Sequence, residues 1–128
     1  MAGRTLLDTT AVIALFAADK TVCERIAQTD VLVSSTVLGA LYYGALKSAR
    51  SAANLARIEE FAAAAGVVAC DGVTARHYAQ IKDRLRSKGR PIPENDIWIA
   101  AIAMQHRLPL ATRDDHFKAV DGLSIENW

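Results

Sequence analysis

Residues 96–114 read Asp-Ile-Trp-Ile-Ala-Ala-Ile-Ala-Met-Gln-His-Arg-Leu-Pro-Leu-Ala-Thr-Arg-Asp. After Asp96 the stretch is apolar on nearly every side, which predicts a buried helix over Ile97–His106. The chain then reverses, and the apolar run Leu108–Ala111 predicts a short buried strand. The same alternation runs through the rest of the chain. Arg4–Leu7, Val31–Val33 and Val67–Cys70 are strand-like. Thr9–Ala18, Val22–Gln28, Ser51–Ala65 and Thr74–Lys88 are helical. A further helix follows the cap residues Ser34, Ser35 and Thr36 and reaches Ser48. Gly66 sits where a helix C-terminus favours glycine. Thr112–Phe117 is a loop or short helix, and Leu123–Ile125 is a last edge strand. Short apolar strands alternating with amphipathic helices predict an α/β fold. Its central, mostly parallel sheet has four or five strands, with helices on both faces.

The 128 residues make one domain, 1–128, with 52% hydrophobic and 23% charged residues. That composition excludes a disordered chain. A net charge of +1 supplies no bulk field for nucleic acid, so any RNA contact rests on a local patch. Cys23 and Cys70 fit no zinc or disulfide framework and predict free thiols in a reducing cytoplasm. The apolar run Phe61–Cys70 is too short to span a bilayer. Ala11–Ala18 has the length of a signal-peptide core, but one Arg before it and Asp8 directly upstream argue against export. The expectation is a soluble cytoplasmic protein with no membrane partner.

In an open parallel sheet, ligands bind outside the carboxyl ends of the strands. Asp8 follows the first strand directly, and Asp114 follows the fourth by a few residues. Asp96 is placed by arithmetic. From Asp96 to Arg107 is about eleven helical steps, or roughly 17 Å. The returning strand covers about four residues, or roughly 13 Å. The two lengths nearly cancel, so Asp96 returns to the end of the sheet that holds Asp8 and Asp114. Three convergent carboxylates repel one another unless a cation joins them. Mg²⁺ or Mn²⁺ is the natural counter-charge, and it can clamp a phosphate and activate water. Each acid also has a plain structural reading. Asp8 is a helix cap, Asp96 a first-turn acid favoured by the helix dipole, and Asp114-Asp115 an ordinary turn.

Four stretches together resemble the PIN-domain toxins of the VapC type, the ribonuclease halves of type II toxin–antitoxin pairs. They are Leu6-Leu7-Asp8-Thr9-Thr10-Ala11-Val12-Ile13-Ala14-Leu15, Leu38-Gly39-Ala40-Leu41-Tyr42-Tyr43-Gly44-Ala45, Pro91-Ile92-Pro93-Glu94-Asn95-Asp96-Ile97-Trp98-Ile99-Ala100-Ala101, and Leu110-Ala111-Thr112-Arg113-Asp114-Asp115-His116-Phe117. Gly122-Leu123 and the Glu126-Asn127-Trp128 ending follow the last. The resemblance covers almost the whole chain. It implies a PIN-like fold and a Mg²⁺- or Mn²⁺-dependent endoribonuclease that leaves 3′-hydroxyl and 5′-phosphate ends. It further implies structured RNA, tRNA included, as substrate, a homodimer, and a cognate VapB-type antitoxin whose C-terminal segment covers the site. Asp8 and Asp96 match the principal metal-ligand positions. Asp114 matches the acid after the fourth strand, and Thr112 a hydroxyl close to the metal.

The chain departs from the family pattern at one position. The pattern has a glutamate where this chain has Ala40. Position 40 lies about one turn into its helix, roughly 6 Å from the strand end, and helical side chains point back toward the N-terminus. A glutamate there would reach the crevice, and alanine does not. Either the change was introduced to make a toxic enzyme expressible, or the natural protein has lost activity. The intact pattern around position 40 favours the first. The expectation is a nuclease disabled at position 40, with a catalytically dead antitoxin- or RNA-binding module as the alternative. A haloacid-type phosphatase would need an acid two residues after Asp8, where Thr10 stands.

Arg84, Arg86, Lys88 and Arg90 form the densest basic cluster and lead into the Pro91 loop, either as a phosphate guide or as a solvated helix face. Arg113 is a candidate phosphate contact by its place, or a partner for a neighbouring acid. Tyr42 and Tyr43 read as core or dimer contacts before base-stacking groups. Trp98 reads as packing. His77, His106 and His116 show no metal-ligand spacing, and His116 reads as a surface residue near the crevice.

Overall fold

The computed structural model describes residues 3–128. Met1 and Ala2, part of the expected domain 1–128, lie outside the described residues. Among the described residues five strands form one sheet in the order β3-β2-β1-β4-β5, and every neighbouring pair is parallel. The strands are β1 (Arg4–Leu7), β2 (Asp30–Ser34), β3 (Gly66–Val68), β4 (Leu110–Thr112) and β5 (Ile125–Asn127). The helices are α1 (Thr9–Phe16), α2 (Lys20–Ala27), α3 (Ser35–Leu46), α4 (Ser51–Ala64), α5 (Gly72–Ser87) and α6 (Glu94–Gln105), with a 3-10 turn over Asp115–Ala119.

The chain steps from β1 outward to β2 and β3, then crosses back through α5 and α6 to β4 and β5. Right-handed crossovers in opposite directions put helices on both faces of the sheet. The reversal of strand order falls between β1 and β4, and an open α/β sheet forms its binding crevice at such a point. Leu6, Leu7 and Leu110 are fully buried there. Each contributes about 1.5–3 kcal/mol by leaving water. Helix α6 is buried at Ile97, Ile99, Ala100, Ala101, Ile102 and Ala103, as its all-round apolar surface requires. Trp98 stacks on Tyr78 with ring centroids 4.0 Å apart.

Several boundaries differ from the sequence expectation for local reasons. Helix α6 begins at Glu94 rather than Ile97, because the Pro93 carbonyl accepts the N–H of Asp96 (3.0 Å) and of Ile97 (3.2 Å). Helix α1 ends at Phe16 rather than Ala18. Ala18 is left-handed (φ 57°) and the Asp19 N–H returns to the Ala14 carbonyl (3.0 Å), which closes the helix. Strand β4 begins at Leu110 rather than Leu108, since the Leu108 N–H still bonds the Ala103 carbonyl (2.9 Å) and Pro109 has no N–H. The edge strand is Ile125–Asn127 rather than Leu123–Ile125, after a turn at Gly122 (φ 80°). Gly66 follows the C-cap Ala65 of α4, at C′ as expected, and also opens β3, where a Cβ would lie 2.3 Å from Leu32 Cδ2. Cys23 and Cys70 are free and exposed. Among the described residues no helix is long and apolar enough to cross a membrane.

Candidate active site

The end of β1 passes directly into α1, and Asp8 is the joint. Its backbone is extended (φ −84°, ψ 179°) and its carboxylate accepts the Ala11 N–H (2.9 Å), so it caps α1. It is also only 2% exposed. Oδ1 accepts the Thr10 hydroxyl as well (2.7 Å), and Oδ2 accepts the Thr112 hydroxyl from the end of β4. Each hydroxyl is itself an acceptor. Thr10 Oγ1 takes the N–H of Arg113 (3.0 Å) and Thr112 Oγ1 the N–H of Asp114 (2.9 Å). The two oxygens of Asp8 therefore fork, through two threonines, onto consecutive backbone amides of the segment that carries Asp114. Burial pushes the Asp8 carboxyl above its ordinary value against the pull of these hydrogen bonds, and the charge of Asp114 adds to the push.

Asp96 lies in the first turn of α6 and its side chain is 17% exposed. Burial raises its pKa, followed by the charge of Asp114, with a smaller push from Asp8, while a bond to His116 opposes them. Asp114 caps the 3-10 turn by accepting the His116 N–H (2.9 Å). The His116 ring closes the cluster. Its Nδ1 is 3.1 Å from Asp114 Oδ1 and 3.3 Å from Asp96 Oδ2. Asp96, Asp114 and His116 each offer a ligand atom, and these atoms lie within 4.8 Å of one another. The plain and the functional readings of the three acids thus hold together. Capping and first-turn geometry are what aim the carboxylates at the switch point.

The structure brings Asp8, Thr112, Asp96 and Asp114 together at the carboxyl ends of β1 and β4. His116 is exposed beside the crevice, as read from the sequence, and its ring also joins the acids, which sequence reasoning did not foresee. The only available signal was its place two residues after Asp114, where a capping turn folds the ring back over the acid. Arg113 is engaged elsewhere. Its guanidinium pairs with Asp19 (2.9 Å) and Nε donates to the Trp128 carbonyl (2.7 Å). Of the basic cluster, Lys88 pairs with Asp121 (3.0 Å), while Arg84, Arg86 and Arg90 are exposed. Arg90 and His116 line the same cleft of about 270 Å³. Ala40, in the second turn of α3, lines a cavity of about 310 Å³ together with Thr9, the neighbour of Asp8, and with Ile13 and Arg57.

The donor set suits a hard or borderline divalent cation. Two carboxylates and an imidazole converge, a buried third carboxylate stands beside them, and the charge of Asp114 helps raise the pKa of Asp8 and of Asp96.

The PIN-domain family profile matches residues 5–123. The chain is 39% identical over 97 residues, 75% of its length and 74% of the relative's, to Ribonuclease VapC2 of Haemophilus influenzae. It is 37% identical over 102 residues, 79% and 77% of the two chains, to a tRNA(fMet)-specific endonuclease VapC of Shigella flexneri. The crystal structure of DNA-bound VapBC from Salmonella typhimurium contains a chain that superposes with a TM-score of 0.92 at 31% identity, covering 100% of this chain and 99% of that one.

Proposed function

The chain belongs to the PIN-domain family and to its VapC branch, and from that membership we propose that it is the ribonuclease toxin of a toxin–antitoxin system. We read it as a Mg²⁺- or Mn²⁺-dependent endoribonuclease acting as a single domain, residues 1–128, with structured RNA such as tRNA as substrate. A VapB-type antitoxin is its partner and a second copy of the chain its dimer mate. The observation that carries this reading is the meeting of Asp8, Asp96 and Asp114 at the β1/β4 switch point.

Asp8, Asp96 and Asp114 are the residues that would hold the cation. When bound, it supplies Lewis-acid polarisation of a phosphodiester and a water acidic enough to attack it. The protein does the positioning. Thr112 and Thr10 hold Asp8 in one orientation and tie the Asp114 segment to it. Pro93 starts α6 so that Asp96 faces the same edge. Arg90, exposed beside the cleft, is placed to meet a phosphate backbone by charge alone, which predicts salt-sensitive RNA binding. Arg113 serves the fold through Asp19 and Trp128 more directly than it serves substrate.

Ala40 leaves the expected acid out of this arrangement. The cavity beside it has room for a longer side chain next to Thr9. The chain as written is therefore a weakened nuclease, and Ala40→Glu restores the carboxylate. The test is cleavage of total RNA and tRNA with Mg²⁺ or Mn²⁺. The expected outcome is little cleavage by this chain, metal-dependent cleavage by Ala40→Glu, and none when Asp8→Asn or Asp96→Asn is added to that background. The alanine at position 40 also favours a second reading, a dead module that binds antitoxin or RNA. An inert Ala40→Glu variant that still binds RNA would establish it in place of the enzyme.

A further inference from the structure

We propose that His116 is a direct ligand of the divalent cation through Nδ1, and that this nitrogen makes the site prefer Mn²⁺ to Mg²⁺. The inference rests on the acidic-site reading above and deepens it by naming the ion. Nδ1 stands between two carboxylates that come from different elements, 3.3 Å from Asp96 Oδ2 and 3.1 Å from Asp114 Oδ1. A nitrogen in that place is either a ligand or a counter-charge that an entering metal must displace.

The surrounding charges favour the ligand. The permanent cations adjacent in sequence are turned away from the pair. Arg113 binds Asp19, and Lys118 binds Asp115 at 3.0 Å. The group left facing Asp96 and Asp114 is an imidazole, which can give a nitrogen lone pair beside their oxygens. Its position is also constrained. The His116 N–H is bound to Asp114 Oδ1, and the next residue, Phe117, is 0% exposed. The ring therefore swings from a backbone pinned on both sides. For ligation, Nδ1 is the unprotonated nitrogen and the ring proton sits on Nε2.

The choice of ion follows from donor chemistry. Mg²⁺ demands near-octahedral oxygen coordination and keeps several waters. Imidazole binds first-row transition ions better than it binds Mg²⁺, and Mn²⁺ is the member of that series that also favours carboxylate and water oxygens. Position 40 carries alanine and offers no oxygen donor to the site. The nitrogen then carries a larger share of the affinity.

Calorimetric titration of the whole chain with MnCl₂ and with MgCl₂ separately tests this, alongside His116→Ala and His116→Gln. Melting curves check that the variants fold. The expected result is tighter Mn²⁺ binding by the parent chain. Mn²⁺ affinity should fall about tenfold or more in both variants, with a much smaller change for Mg²⁺. Pulsed EPR of the Mn²⁺-loaded chain should show imidazole nitrogen coupling that both variants lose. If His116→Ala tightens both ions equally and the parent spectrum lacks nitrogen coupling, His116 is a displaced counter-charge and the proposal fails. If neither the parent nor Ala40→Glu binds either ion, the acidic-site reading itself fails with it.

Discussion

Asp8 and Asp71 perform the same local task and carry opposite electrostatics. Both are extended residues that cap a helix, α1 and α5 respectively. Asp71 accepts the N–H groups of Val73 (3.0 Å) and Thr74 (3.1 Å) and the Gln105 amide (3.1 Å), in a capping box closed by Thr74. These bonds, the Thr74 amide first and Gln105 second, hold its carboxyl below the ordinary value. Asp8 accepts three donors of its own, yet burial and a neighbouring acid hold it above the ordinary value. A cap surrounded by donors and away from other acids is comfortable as an anion. A cap buried beside other acids is not, and that discomfort sits at the carboxyl ends of β1 and β4, where we propose the cation.

The contrast is sharpest toward metal. Mn²⁺ at about 100 times its dissociation constant should raise the unfolding free energy by about 2.7 kcal/mol. Urea denaturation with and without Mn²⁺ measures it. Asp8→Asn and Asp96→Asn should lose the gain, while Asp71→Asn keeps it. Equal loss in Asp71→Asn would dissolve the distinction between the two caps. A smaller effect is expected at the fork beneath Asp8. Thr10→Val removes the bonds to Asp8 and to the Arg113 amide, costing about 1 kcal/mol and weakening Mn²⁺ binding. Thr10→Ser should restore both, and failure of the serine to do so would assign Thr10 to packing alone. The smallest effect concerns pH. Because the folded pKa of Asp71 is depressed, its contribution is complete above the usual carboxylate range, about pH 4, and is lost as pH falls through the folded value. The stability of Asp71→Asn should therefore decline less steeply than that of the parent below about pH 4. Parallel curves would show that the cap adds no acid sensitivity.

Much of this was readable in the residues. The apolar runs at Arg4–Leu7, Val31–Val33 and Leu108–Ala111 announce strands whatever their exact ends, and the length of α6 against the returning strand places Asp96 without coordinates. What escaped depended on single backbone bonds. Pro93 lends its carbonyl to α6 and so starts the helix early, and Leu108 stays bound to Ala103 and so delays β4. No periodicity records either event. His116 escaped for a related reason. Its ring reaches Asp96 only because Asp114 caps its amide, and a lone histidine has no spacing that says so. Arg113 was open between phosphate and acid, and the acid it meets, Asp19, lies far away in sequence at the start of α2.

The outermost strands of the sheet, β3 and β5, are three residues each. An exposed edge is a template on which another chain can add a strand, and brevity is a recognised defence against it. This sheet leaves so little unpaired backbone at either border that aggregation by edge-to-edge stacking gains few bonds. Self-association through side-chain surfaces does not draw on those borders, so it is left open to the chain.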